Sequence, residues 1–174
     1  LNIDGLGDKL TQQLLDEGLI ENVSDLFVLE AAKLEALERF GKQSAANLLE
    51  AIERAKQDAT FSRLLAALGI RHVGRTASKA IAQRHPSMSV LLEMVDDDES
   101  GDRFVEQLCD IEGIGETIAR SLYDFLASDS NRSVIGLLME RGLDPVEVVE
   151  DKVEGGLSGK TFVITGTLSA PRGT

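Results

Sequence analysis

Ile111-Glu112-Gly113-Ile114-Gly115 decides how this chain is read. The pattern is apolar, any residue, glycine, apolar, glycine, and the residues from Glu116 to Ala127 that follow it read as a helix. The same pattern opens the chain as Ile3-Asp4-Gly5-Leu6-Gly7, and looser copies lie at Leu37-Glu38-Arg39-Phe40-Gly41 and Ile70-Arg71-His72-Val73-Gly74. The final glycines Gly7, Gly41, Gly74 and Gly115 are 34, 33 and 41 residues apart, the mark of an internal repeat. Four residues beyond each glycine stand Thr11, Ala45, Ser78 and Ala119, all small. Seven beyond stand Leu14, Leu48, Ile81 and Leu122, all large and aliphatic. Positions three apart share a helix face. The small residue admits a second helix closely and the aliphatic one fills the core beneath. Each unit therefore reads as helix, tight glycine turn, helix.

Outward from the repeats, the glycine and proline punctuation divides the chain. A helix from Asp8 to Glu17 is expected to stop at Gly18 in a left-handed cap. Ser24 is the expected cap of a short helix through Phe27 and Val28, followed by another from Ala31 to Leu37. Longer helices are expected over Gln43–Lys56, with Ala46, Leu49 and Ile52 on the apolar face, then Phe61–Leu68 capped by Thr60, and Arg75–Arg84 ended by Pro86. Leu91 and Leu92 anchor a further short helix, and Asp102 starts one through Leu108. Asp129–Arg141 is an amphipathic helix with Val134, Leu137 and Leu138 inward and Gly142 as its stop. Residues 143–158 read as an acidic linker. Lys160 to Gly166 then read as one buried strand, which needs a partner to be stable. Leu1 is not a natural start, so a fragment is expected.

Composition narrows the possible functions. The net charge is −12, but residues 1–92 carry 11 Lys+Arg against 12 Asp+Glu and residues 93–174 carry 7 against 18. The acidic excess, in Glu93 to Asp102 and Asp144 to Glu154, reads as solvated loop and linker. Lys9, Arg39, Lys42, Arg71, His72 and Arg75 keep positive charge at the first three turns. No apolar run is long enough for a membrane span. The single cysteine, Cys109, forms neither a disulfide framework nor a zinc site, and its spacing with Phe104, Val105 and Leu108 reads as a buried apolar position.

A helix N-terminus presents unsatisfied N–H groups and a partial positive charge, and can hold a phosphate without a basic side chain. Glycines let that ligand approach the backbone and supply the positive φ of an N–H nest. The candidate phosphate contacts are therefore Gly5, Leu6, Gly7 and Lys9; Arg39, Phe40, Gly41 and Lys42; Arg71, His72, Val73, Gly74 and Arg75; and Gly113, Ile114, Gly115 and Thr117. Arg39 and His72 stand where the other turns have glycine, so those two turns are expected to depart from the full nest, with their side chains reaching phosphate instead. Asp110, Glu112 and Glu116 surround the fourth turn, which must act through backbone N–H groups or serve structure alone. Replacing Gly74 with valine is expected to block phosphate and to strain the turn.

These glycine turns resemble helix-hairpin-helix DNA-binding motifs. Four units in this order, with the long stretch Ala67 to Gly74 as the third, look like the helix-hairpin-helix domain of the bacterial NAD-dependent DNA ligase family, and Leu157 to Leu168 looks like the first strand of that family's BRCT domain. The resemblance implies an all-α fold of four tandem helix-hairpin-helix units over residues 1–142, the linker 143–158, and 159–174 as the incomplete strand segment of a truncated α/β domain. It implies a monomer that grips nicked double-stranded DNA without reading sequence, beside the remaining domains of the same ligase chain. The location implied is the bacterial cytoplasm, at the nucleoid, in replication and repair. The family uses NAD, zinc and a divalent metal such as magnesium. Its adenylating Lys-x-Asp-Gly motif and four-cysteine module are absent here, so this segment is expected to be non-catalytic and to hold none of these cofactors. With one or two phosphates per hairpin, the slope of log K against log salt is expected to be roughly −4 to −7. Two other readings stand beside this one. A protein-interaction module would bury its turns against one another and favour a basic partner. A base-excision glycosylase would need a pocket acid after the hairpin, for which Asp124 and Asp129 are the nearest residues.

Overall fold

The structure, a computed structural model, describes residues 1–148. The predicted strand Lys160–Gly166, the segment 159–174 and most of the linker lie outside the described residues. Within them the chain is all-α. The helices are α1 (Asp8–Asp16), a 3-10 helix (Val23–Val28), α2 (Ala31–Glu35), α3 (Lys42–Gln57), α4 (Phe61–Ala67), α5 (Arg75–Arg84), α6 (Met88–Asp96), α7 (Asp102–Cys109), α8 (Glu116–Ala127) and α9 (Asp129–Glu140). Most of the expected helices appear within a residue or two of their expected bounds, because their limits are set by local punctuation. Gly18, Gly69 and Gly142 follow α1, α4 and α9 with φ of 65°, 69° and 80°, the left-handed cap that glycine adopts without a Cβ clash. Thr60 caps α4, accepting from the Arg63 N–H at 3.3 Å.

The repeat sets the core. Leu14, Leu48, Ile81 and Leu122 are all essentially inaccessible, as are Ala45, Ser78 and Ala119. Thr11 is half-buried. Two main clusters form. One gathers Leu14, Leu34, Leu37, Leu48 and Ile52 from the first two units; the other gathers Phe61, Ile81, Leu91, Phe104, Leu108, Leu122 and Leu126 from the last two. Leu64, Leu138 and Leu143 form a third, smaller cluster beside them. Units therefore share cores in pairs. A two-helix hairpin has too little apolar surface to bury alone, and a second hairpin supplies the rest.

The two pairs are tied by contacts distant in sequence. Arg141, just after α9, reaches back to the 3-10 helix and donates to Ser24 Oγ at 2.6 Å and Asp25 Oδ1 at 2.8 Å. Ser24 is consequently not the cap. Asn22 caps this helix, accepting from Ser24 N at 2.9 Å, while Asp25 closes a capping box by accepting from Asn22 N at 2.9 Å. Within the second pair, Glu147 accepts from Ser62 N at 2.8 Å and Ser62 Oγ at 2.9 Å, and its own N–H donates to Pro86 O at 2.7 Å. The start of the acidic segment is thus packed on α4 and on the entry to α6.

Four side-chain expectations are corrected. Cys109 is exposed, because it falls one residue past Leu108 and off the Phe104/Val105/Leu108 stripe. Ala46 is exposed too, and α3 buries Ala45, Leu48, Ala51, Ile52 and Ala55 instead. On α9 the deepest residues are Ile135 and Leu138, with Val134 and Leu137 half-buried. The acidic stretch Glu93–Asp102 is not all loop: Glu93 to Asp96 complete α6, where Arg132 holds Asp96 at 2.6 Å.

Candidate nucleic-acid interface

The four turns are copies in backbone as well as in sequence. Each closes with an N–H donated back three residues: Leu6 to Ile3 O, Phe40 to Leu37 O, Val73 to Ile70 O and Ile114 to Ile111 O, at 3.0–3.2 Å. The third residue is left-handed in every copy, with φ of 85° at Gly5, 64° at Arg39, 66° at His72 and 84° at Gly113. A positive φ at that place is the demand of a type II turn. Arg39 and His72 thus do not depart from the glycine turns, contrary to the sequence expectation. The closing hydrogen bond and the buried residue beside it hold them in a conformation that L-residues rarely adopt.

That buried residue is the plug of each turn. Val73 and Ile114 are in the second core, while Leu6 and Phe40 pack against the first. The next residue is the helix N-cap, Gly7, Gly41, Gly74 or Gly115, with φ between −88° and −104° and an extended ψ. Glycine has no side chain to cap with, and none of these four helices has a side-chain acceptor for its first N–H groups. A Cβ built at any of the four meets nothing within 4 Å. Their φ values suit any residue. No steric contact and no positive φ demands glycine at these positions, although an N-cap favours it over an aliphatic residue; glycine also leaves room for a ligand arriving from outside. The expected strain of Gly74→Val is therefore corrected: the turn tolerates a side chain there, and only ligand approach is obstructed.

The polar candidates stand around these openings. Lys9, Arg39, Lys42, Arg71, His72, Arg75 and Thr117 are exposed, as are the turn glycines, so the turns are not buried against one another. Arg39 lies 3.4 Å from Glu38. Among the described residues, none of Arg71, Arg75, Lys79 and Arg84 forms an ion pair. Asp4 and Asp8 flank the first turn with Lys9, and Asp110, Glu112 and Glu116 are exposed around the fourth. The cationic turns are the second and third. Sequence reasoning overlooked one signal here: between Asp58 and Glu93 no acidic residue occurs, while five cations do, at Arg63, Arg71, Arg75, Lys79 and Arg84. In a chain of net charge −12 this is a local reversal of sign.

Asp124 and Asp129 are exposed helix residues. Among the described residues no three His, Cys, Asp or Glu side chains converge as a metal site, and no helix is long and apolar enough to cross a membrane. With Cys109 alone on the surface of α7, these residues do not fit a four-cysteine zinc site.

Comparison with known proteins agrees with this geometry. Residues 63–135 match the helix-hairpin-helix motif, and residues 1–54 match the SAM-like helix-hairpin-helix tandem. The chain is 45% identical over 172 residues to a DNA ligase of Rubrobacter xylanophilus, 40% over 172 residues to one of Methylacidiphilum infernorum, and 44% over 170 residues to one of Halothermothrix orenii. These matches take in 97–99% of this chain and 24% of each relative. The chain thus spans about a quarter of the length of the curated relatives it matches.

Proposed function

We propose that this chain is the part of a DNA ligase that holds duplex DNA around a nick, without reading its sequence and without carrying the sealing chemistry. The observation that carries the reading is the repeated opening: four helix N-termini, each closed by a glycine with ordinary φ and open space where its side chain would be. A phosphate oxygen fits against such N–H groups, in the field of the helix dipole. Phosphate contacts position a protein on a duplex and carry no base information, which suits an enzyme that must act at any break.

The four hairpins divide the work. The second and third combine N–H groups with Arg39, Lys42, Arg71, His72 and Arg75, and supply most of the electrostatic affinity. The first and fourth, set among carboxylates, act through backbone N–H groups alone. In the ligase as a whole, NAD, zinc and a divalent metal belong to other parts of the chain, and residues 159–174 begin a BRCT-like domain. The segment works as a monomer beside those domains.

Fluorescence anisotropy with nicked and intact duplexes of one sequence, over a salt series, tests this reading. The expected result is binding to both with a log K against log salt slope of roughly −4 to −7. Binding that ignores salt, or no binding at low salt, would sink it.

A further inference from the structure

A cleft of about 810 Å³ lies beside the third hairpin, walled by Leu1 and Asn2, by Arg63 and its neighbours on α4, and by Gly74, Arg75 and Lys79 at the start of α5. Gly74 belongs to both places. It caps α5 at the end of the turn and forms one wall of the cleft, so the two openings are continuous. Arg75 and Lys79 are four residues apart on one helix, just over one turn or ~6 Å along its axis. Arg63 faces them from the neighbouring helix, its Nη1 donating to Asp58 O at 2.9 Å. Among the described residues no carboxylate pairs with any of the three. Glu147 bonds to Ser62, also in the lining, where its two oxygens accept from Ser62 N and Ser62 Oγ.

Three exposed cations from two helices stand around one concavity. The surrounding stretch from residue 59 to 92 contains no acid to offset them. A chain of net charge −12 has carboxylates to spare for pairing, as it does for Arg120, Arg132 and Arg141. We propose that Arg63, Arg75 and Lys79 form a second phosphate site, which takes the phosphodiester backbone leading away from the phosphate held by hairpin 3. This rests on the reading of the chain as a duplex-holding segment and extends its footprint beyond the hairpins to α4 and the second turn of α5. The chemistry is that of a run of phosphodiesters. Lysine and arginine side chains neutralise them and release condensed counterions.

The test compares the 174-residue chain with Lys79→Gln, Arg63→Gln/Lys79→Gln, Arg84→Gln and Arg71→Gln variants, binding a fluorescein-labelled intact duplex by anisotropy over a salt series. Among the described residues no hydrogen bond holds the Lys79 side chain, so its variant leaves the fold intact, and circular dichroism checks the double variant. Each lost contact is expected to weaken binding roughly eightfold at 0.1 M salt, and the double variant to flatten the slope by about 1.8. Arg84→Gln removes the same charge outside the cleft and is expected to change little. If Lys79→Gln and the double variant bind like the unaltered chain while Arg71→Gln binds weakly, the cleft proposal fails and the hairpin reading stands. Equal losses from Arg84→Gln and Lys79→Gln also overturn it, because a diffuse field then explains the effect. If the unaltered chain does not bind, both readings fail together.

Discussion

Arg141 and Asp25 pair at 2.8 Å across 116 positions of sequence, each side chain 20% exposed. The pair closes the end of the last helix onto the beginning of the chain. Asp25 also accepts N–H bonds from Glu21 at 2.8 Å and Asn22 at 2.9 Å. Those two bonds, and then Arg141, hold its carboxyl below the usual carboxylate value. Arg141→Met leaves the buried Ser24 hydroxyl and half of this carboxylate without their donor. A loss of about 1–2 kcal/mol is expected in urea unfolding. Asp25 binds its proton less readily folded than unfolded, so its contribution is complete above pH 3.8 and is lost as pH falls below that value. An unchanged midpoint for Arg141→Met would show that the two pairs of hairpins do not depend on this link.

His85 contributes to stability at higher pH. Its Nε2 is buried and has no hydrogen-bond partner among the described residues, and desolvation, helped by Arg84, lowers its pKa from 6.5. The unfolded chain therefore takes up this proton first as the solution is acidified. Stability is complete above pH 6.5 and declines as pH falls through the window between 6.5 and the lower folded value. Melting temperature should fall between pH 7 and pH 5, and His85→Leu should flatten that fall.

Ser78 occupies the small position of the third unit, where the second and fourth have Ala45 and Ala119. It is inaccessible, and among the described residues its Oγ has no hydrogen-bond partner. Ser78→Ala removes an unsatisfied hydroxyl from a site whose shape suits a methyl group, and is expected to stabilise the protein by about 1 kcal/mol. Chemical denaturation measures this, and a destabilised variant would reveal a partner for the hydroxyl.

His72 and Gly74 separate strain from access within one turn. His72→Gly relieves a left-handed L-residue and should stabilise the fold by about 1 kcal/mol, while removing one imidazole from the proposed DNA-binding face. Gly74→Val has ordinary φ and open space, so it should fold, losing only the modest stability, about 1 kcal/mol or less, of an aliphatic residue at an N-cap. Its affinity for duplex DNA should nonetheless drop at least tenfold, or about 1.4 kcal/mol. Full affinity in a folded Gly74→Val would remove hairpin 3 from the interface.

Gly101 is a glycine that the interior does require. Its φ is 73°, and a Cβ there would lie 2.7 Å from the Tyr123 ring. Tyr123 is fixed in turn by its hydroxyl, placed at 2.8 Å from both Asp98 O and Glu99 O. Gly101→Ala should cost about 2–3 kcal/mol in thermal or chemical unfolding. A neutral result would mean that the acidic loop and the ring can shift apart freely.

What the amino-acid sequence determined by itself was the repeat: four turns, their N-cap glycines, and small and aliphatic residues at fixed distances beyond them. Turn chemistry and helical periodicity act within a few residues, so Gly18, Gly69, Pro86 and Gly142 mark helix ends without knowledge of the rest of the fold. Tertiary structure alone decided that Arg39 and His72 adopt the glycine conformation, since packing of Phe40 and Val73 holds those turns closed. It decided that Asn22 caps the 3-10 helix while Ser24 turns inward to Arg141. The exposure of Cys109 needed no tertiary information, because helical periodicity sets the last residue of α7 one position past Leu108 and off the apolar stripe. Tertiary structure also brought Glu147 to Ser62, and Arg63 to the same cleft as Lys79. Such contacts join residues up to 117 positions apart. Local propensity cannot foresee them, because their partners meet only when separate hairpins bury their apolar faces together.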